Sequence, residues 1–205
     1  MRILSFDQSI TATAAVVLDE VEPAKFRVIS QEMCVPKKCS GIYRMQFIRD
    51  WIFRRYNDTA PTMIVRELHN QRQFGAAGEI QVVGSIIDHL ALRAHLLDVG
   101  CGNYAMITAG TWKKFCVGKG NLKKDTAYMM HINKFIQSTR YLQVSPDFQV
   151  MNDNIGDAIC MGVCGAICRR ILLDAPAHIL DSSKFVALKK CLPIMFDYGK
   201  PQPKS

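Results

Sequence analysis

The sequence predicts an α/β domain built on a mixed sheet with helices on both faces. Its opening stretch carries short β-prone runs joined by tight connections, the pattern of an antiparallel meander. From residue 41 onward, segments of helical period alternate with single short apolar runs, and such alternation packs helices against a sheet.

Arg2–Asp7 (RILSFD) is a short apolar run ending in an acid. Thr13–Leu18 (TAAVVL) is the second strand, with Gln8-Ser9-Ile10-Thr11 as a tight connection, and the third lies within Phe26–Met33. Gly41–Tyr56 changes period: Met45, Ile48, Ile52 and Tyr56 recur at helical spacing, with Arg44, Arg49, Arg54 and Arg55 between them. Pro61 ends the following loop, and Thr62–Val65 is a β-prone run ending near Glu67. A long helix is expected from about Gly75 to Leu97, striped by Ile80, Val83, Ile87, Leu90, Ala94 and Leu97. That stripe either pairs with a copy of itself or covers the sheet. Tyr104–Ile107 is another strand, and Lys123–Ile136 and Asp153–Leu173 are the last two helices. The expected order is β-β-β-α-β-α-β-α-α.

With 205 residues, 49% of them hydrophobic and 21% charged, the chain has material for one core and too few charges for disorder. Its net charge of +8 favours an anionic partner such as nucleic acid, a property shared with ribosomal and membrane-surface proteins. No apolar run approaches the roughly 18 residues of a membrane span, and Ile3–Phe6 is too short for a signal-peptide core, so a cytoplasmic protein, bacterial or from a phage-infected cell, is expected. Cys160, Cys164 and Cys168 recur every four residues on one helix face and read as small core residues, and no cysteine pair has the C-x2-C spacing of a zinc site.

Asp7 and Glu67 close strands, and Asp157 lies in the first turns of an apolar helix. Acids at strand ends emerge at a sheet edge, where several carboxylates can hold two divalent cations for phosphoryl displacement. Magnesium suits such a site because it prefers hard oxygen ligands. Singly, each acid reads as well as a solvated turn residue, and Asp153 and Asp157 as helix N-terminal acids. Order and context give them weight: strand and acid, strand and acid, helix and acid, with a basic segment between.

Four segments carry a resemblance. ILSFDQSITATAAVVL looks like the first hairpin of RuvC-type Holliday-junction resolvases, and MIVRELHNQRQFGAAGEIQVVGSIIDHLA resembles their fourth strand, terminal Glu, substrate-facing loop and long helix. TWKKFCVGKGNLKKDTAYMMHI is similar to their V-G-x-G…K segment, and DNIGDAICMGVCGAICRR to their final acid-bearing helix. The resemblance spans roughly residues 2–170 in the family's order. It implies a ribonuclease H-like fold over residues 1–174, a homodimer, Mg²⁺ or Mn²⁺ with two ions per site, and paired nicks across a four-way DNA junction. It places metal ligands at Asp7, Glu67 and Asp157 and a functionally important lysine at Lys124, with Lys113 matching a second. Residues 175–205, basic and proline-containing, have no counterpart and read as an extension.

The chain departs from the family in two places. Asp7-Gln8-Ser9 stands where Asp-Pro-Gly is common. Three residues before Asp157, where the family has Asp or His, this chain has Asn154 with Asp153 beside it, so either is a candidate fourth ligand. The D-N-x-x-D arrangement is similar to phage-type members.

Residues 108–140 hold Lys113, Lys114, Lys119, Lys123, Lys124, Lys134 and Arg140 against Asp125 alone, a net +6. Lys113, Lys114, Lys119, Lys123 and Lys124 suit a phosphate-tracking surface. The Gly118-Lys119-Gly120-Asn121 turn is expected to bring backbone N–H groups to a phosphate just before a helix, although without the surrounding lysines a plain turn is the better reading. Phe74, in a polar loop beside Glu67, either stacks on an unpaired base or staples the next helix. Trp51 and Trp112 are expected in the core.

The expected activity is thus a metal-dependent, structure-selective endonuclease acting on branched DNA. The same chemistry would serve flaps, forks or RNA–DNA hybrids, and a non-catalytic branched-DNA binding protein would keep the fold while losing the acids. An actin-like ATPase also begins with a hairpin and an acid, but its phosphate loops need more glycine than Gln8–Thr11 offers, and 205 residues are too few for two lobes.

Overall fold

A computed structural model describes residues 1–37, 39–68, 76–94, 96, 103–121, 123–124 and 127–174, with backbone alone at 76, 77 and 172–174. Phe74, Leu97 and the 175–205 extension lie outside the described residues.

Strands β1 (Arg2–Asp7), β2 (Thr13–Glu22), β3 (Lys25–Cys34), β4 (Met63–Glu67), β5 (Tyr104–Ile107) and β6 (Leu142–Gln143) form one sheet in the order β5-β4-β1-β2-β3-β6. β1, β2 and β3 are an antiparallel meander, whereas β4 joins β1, β5 joins β4 and β6 joins β3 in parallel. Helices α1 (Gly41–Thr59) and α2 (Ala76–Arg93) cover one face, and α3 (Ala109–Val117), α4 (Tyr128–Ser138) and α5 (Asp153–Asp174) the other. The fold is the mixed α/β sheet that the sequence predicts.

Period-two alternation divides the strands between two cores. Ile3, Met63, Val65 and Ile107 face α3, α4 and α5, while Leu4, Phe6, Ile64 and Met106 face α1 and α2. Helix α5 is buried all round from Ile155 to Cys168, as befits a helix without a polar face. Cys160, Cys164 and Cys168 are fully buried free thiols inside it, as expected. Its glycines let it sit close on the sheet: a Cβ on Gly162 would lie 2.7 Å from Leu18 Cδ1, and one on Gly165 2.8 Å from Val65 Cγ2.

Val83, Ile87 and Leu90 of α2 are buried in the second core, so this part of the stripe covers the sheet. Two elements have no counterpart in the sequence reading. Helix α3 is only nine residues long and depends on a local cap, in which the Thr108 side chain accepts from the Thr111 N–H. Strand β6 is two residues long and has no periodicity of its own. Helix α4 begins at Tyr128, later than the expected Lys123, because its buried stripe of Tyr128, Ile132, Phe135 and Ile136 starts there.

Candidate active site

The parallel register of β1 on β4 pairs Phe6 with Arg66, which puts Asp7 and Glu67 one step further, side by side at the carboxyl ends of neighbouring strands. In open α/β sheets that edge is where ligands bind. Alternation gives Asp7 the face of Ile3 and Glu67 the face of Met63 and Val65, which is the face under α5. Helix α5 starts at this edge. The Asn152 carbonyl oxygen of the side chain accepts from the N–H groups of Asn154 (3.0 Å) and Ile155 (3.2 Å), capping the helix. Asn152, not Asp153, thus supplies the cap of α5. Asp153 and Asp157 are four apart and share a helix face.

Lys124 joins these two acids. Its Nζ lies 2.9 Å from Asp153 Oδ2 and 2.8 Å from Asp157 Oδ2. The Tyr128 hydroxyl donates to the other Asp157 oxygen, Oδ1. Asn154 bridges two partners: its Nδ2 donates to the Ala12 carbonyl (2.8 Å), tying α5 to the β1–β2 connection, while its Oδ1 accepts from Lys124 at 3.4 Å. Lys113 lies with its ammonium 5.3 Å from the centre of the Tyr128 ring and 5.4 Å from that of Trp112.

Asp7 and Asp157 are 5% and 3% exposed, uncommon for carboxylates. Burial first, then the charges of Asp157 and Glu67, hold the Asp7 carboxyl well above the usual carboxylate range. Burial and the Asp157 charge push Glu67 up to about 7, against the pull of Lys113 and Lys124. Burial also raises Asp157, with Lys124 and Tyr128 acting against it. For half-exposed Asp153, burial is outweighed by the hydrogen bond and charge of Lys124, and its pKa falls. The Lys124 ammonium is raised in turn, because the acids outweigh the cost of burying it. Burial and Asp157 raise the Tyr128 phenol, which stays a hydrogen-bond donor.

The fold therefore gathers Asp7, Glu67, Asp153, Asp157, Lys124 and Lys113 at one edge, although they are spread over 150 residues of sequence. The acids are arranged around an ammonium: among the described residues, no three carboxylates converge tightly enough to enclose a cation as they stand. Lys114, Lys119 and Lys123 are exposed. The glycine turn departs from expectation. Gly118, at φ 78°, is the C-cap of α3, donating its N–H to the Lys114 carbonyl, and no described helix starts directly after the turn. Tyr128 was not anticipated from sequence; its signal is the four-residue step from Lys124. Trp51 and Trp112 are buried as expected.

No known family model matches the sequence, and no curated protein matches it. Solved structures do. Thermus thermophilus RuvC, solved with a Holliday junction substrate, superposes with a TM-score of 0.62 at 15% identity, covering 80% of this chain and 91% of RuvC. The fold is that of the RuvC resolvases. The yeast mitochondrial Holliday junction resolvase has a TM-score of 0.55 at 11% identity, covering 87% of this chain and 82% of its own. The fowlpox virus Holliday junction resolvase has a TM-score of 0.51 at 15% identity, covering 82% and 99% respectively. The RuvC-like, ribonuclease H-like architecture thus persists at identities where sequence alone aligns poorly.

Proposed function

We propose that the chain is a divalent-metal-dependent endonuclease that resolves four-way DNA junctions by paired nicks. The observation that carries this reading is the placement of desolvated carboxylates from β1, β4 and α5 around Lys124 at the ligand-binding edge of a RuvC-like sheet. The donor chemistry fits a hard cation, since carboxylate oxygens are what Mg²⁺ and Mn²⁺ prefer. Like charges that raise one another's pKa are also what a dication relieves. Asp7, Glu67 and Asp157 would hold the metal. Asp153 is favoured over Asn154 as the fourth ligand because a carboxylate brings a charge that a neutral amide lacks. A bound pair of ions would supply activation of water and neutralisation of the leaving oxygen.

The chain's own groups do the rest. Tyr128 donates to Asp157 Oδ1 and so directs Oδ2 toward the cluster. Lys124 brings a positive charge to the acids, where it can stabilise charge developing on a scissile phosphate. Exposed Lys114, Lys119 and Lys123, with Lys113 nearer the acids, follow the DNA backbone. A homodimer belongs to this reading, because symmetric nicks need two sites. With the α2 stripe buried, the outer apolar residues of α1 and α2, among them Ile42, Tyr43, Phe47 and Val82, are the surface for it. Light scattering of the free and junction-bound protein measures that directly.

The decisive experiment incubates the protein with Mg²⁺ and labelled four-way junction, fork, flap and linear duplex in parallel. Symmetric nicks confined to the junction are expected. Preference for a fork, flap or RNA–DNA hybrid would reassign the substrate, and binding without cleavage in either Mg²⁺ or Mn²⁺ would overturn the nuclease reading.

A further inference from the structure

Gln8 follows Asp7 at the end of β1 and is only 3% exposed. Its side chain turns to the face opposite the acids and reaches across to β4 and α2. With the amide oriented to satisfy both neighbours, the amide nitrogen donates to the Glu67 carbonyl at 2.6 Å and the amide oxygen accepts from the Gly84 N–H at 3.3 Å. The same carbonyl accepts from Arg66 Nη1 at 2.8 Å, so both its lone pairs are used. Arg66 is itself held by the Asp88 carboxylate of α2 through two contacts, 2.6 and 2.8 Å, and by the Tyr104 hydroxyl at 2.6 Å.

Gly84 fits this arrangement closely. It lies inside helix α2, where glycine is otherwise unfavourable. A Cβ there would stand 2.7 Å from the end of the Gln8 side chain and 3.3 Å from Arg66 Nη1. The helix approaches the two strand ends at Gly84, where a side chain would displace the Gln8 amide.

Resting on the nuclease reading above, we propose that Gln8 is a positioning residue that fixes Glu67 relative to Asp7. The residue next to one acid grips the backbone of the other, and helix α2 completes the grip through Gly84. Glu67 is pinned by its carbonyl on the α2 face while its carboxylate turns to the α5 face. Loosening it leaves both acids in place but lets the distance between them vary, which weakens cation binding without removing a ligand.

The test uses the full chain and Mn²⁺ as the probe, measured by calorimetry without DNA. Gln8→Met keeps the bulk and removes both hydrogen bonds. It is expected to weaken Mn²⁺ binding about fivefold to tenfold and to raise the Mg²⁺ needed for half-maximal junction cleavage in parallel. Junction affinity and the metal-free melting temperature should stay near wild type, which a general loss of structure would not allow. Gly84→Ala, which displaces the amide from the other side, should reproduce the defect and carries the test alone if Gln8→Met folds poorly. The double variant should be no more than about twofold worse than the weaker-binding single one, because both changes break the same link. Wild-type Mn²⁺ affinity in Gln8→Met, or in Gly84→Ala, overturns the positioning role, as do effects that multiply. A wild-type protein that binds no Mn²⁺ overturns the nuclease reading and this role with it, whereas normal wild-type binding with unaffected variants overturns this role alone.

Discussion

Two buried polar clusters lie back to back on the same strand ends. On the α5 face, Asp7, Glu67 and Asp157 are desolvated beside one another; burial raises all three pKa values, and the charge of Asp157 raises those of Asp7 and Glu67 further. On the α2 face, Arg66 meets Asp88, Tyr104 and the Glu67 carbonyl in a network whose charges cancel and whose donors are used. The second cluster is what a folding domain does with a buried cation, satisfying it completely. The first leaves like charges unreconciled at an open edge, an arrangement that costs stability and points to a ligand. Adjacent residues, Arg66 and Glu67, thus belong to opposite regimes because the pleat sends them to opposite faces.

The sharpest way to break this comparison is to remove charge from the acid side. Asp7→Asn, Glu67→Gln and Asp157→Asn are each expected to slow junction cleavage by at least about a hundredfold while junction binding changes little. Single-turnover rates and binding isotherms separate the two, and near-wild-type cutting by any one variant removes that residue from the site. On the other face the expected loss is of stability. Asp88→Ala leaves Arg66 buried without its counter-ion and should cost about 2–3 kcal/mol, a discounted value because Asp88 is partly exposed. Denaturant unfolding measures it, and Arg66→Met added to Asp88→Ala should recover part of the loss.

The two faces should also differ in pH response. The folded state holds a proton on Glu67 up to about pH 7, whereas an ordinary glutamate releases it near 4.5. Between those values the folded chain binds more protons than the unfolded one, so stability falls as pH rises through the window. Asp7 and Asp157 are shifted in the same direction. In chelator, the melting temperature should drop from pH 5 to pH 8 by the equivalent of about 2 kcal/mol, with Glu67→Gln flattening the slope. A melting temperature that climbs over this range contradicts the assignment.

The smallest expected effect concerns the lysines. Lys124→Ala should slow cleavage at saturating protein about tenfold, or about 1.4 kcal/mol, because Lys124 sits between two acids. Exposed Lys134→Ala should leave that rate unchanged and reduce the salt slope of binding by about one unit. Equal rates for the two variants would make Lys124 an ordinary phosphate contact.

Much of this was readable in the residues themselves. The short apolar runs RILSFD and TAAVVL were legible as strands, and YAMI was delimited to the residue. The repeat of Cys160, Cys164 and Cys168 identified the buried helix because its spacing and polarity belong to that segment alone. The acids were legible by position, Asp7 and Glu67 at the ends of apolar runs and Asp157 in the first turns of an apolar helix, and the resemblance supplied the roles expected of them. Helix α3 and strand β6 were not legible, since one depends on a threonine cap and the other on a neighbour already in place. The direction of the α2 stripe was likewise open: apolar periodicity says that a face is buried and does not say against what.

What the sequence determined by itself, then, is local: periods, caps, the kinds of side chain available, and the burial that each pattern demands. What only the tertiary structure decided is every relation between distant segments. The parallel register of β1 on β4 brings Asp7 beside Glu67, and the seating of α5 through Gly162 and Gly165 adds Asp157. The loop after α3 carries Lys124 to that acid, and the pleat turns Gln8 and Arg66 to the far side. Those relations arise from long-range packing and hydrogen bonding, whose partners are unrelated to sequence spacing, so no pattern along the chain encodes them singly.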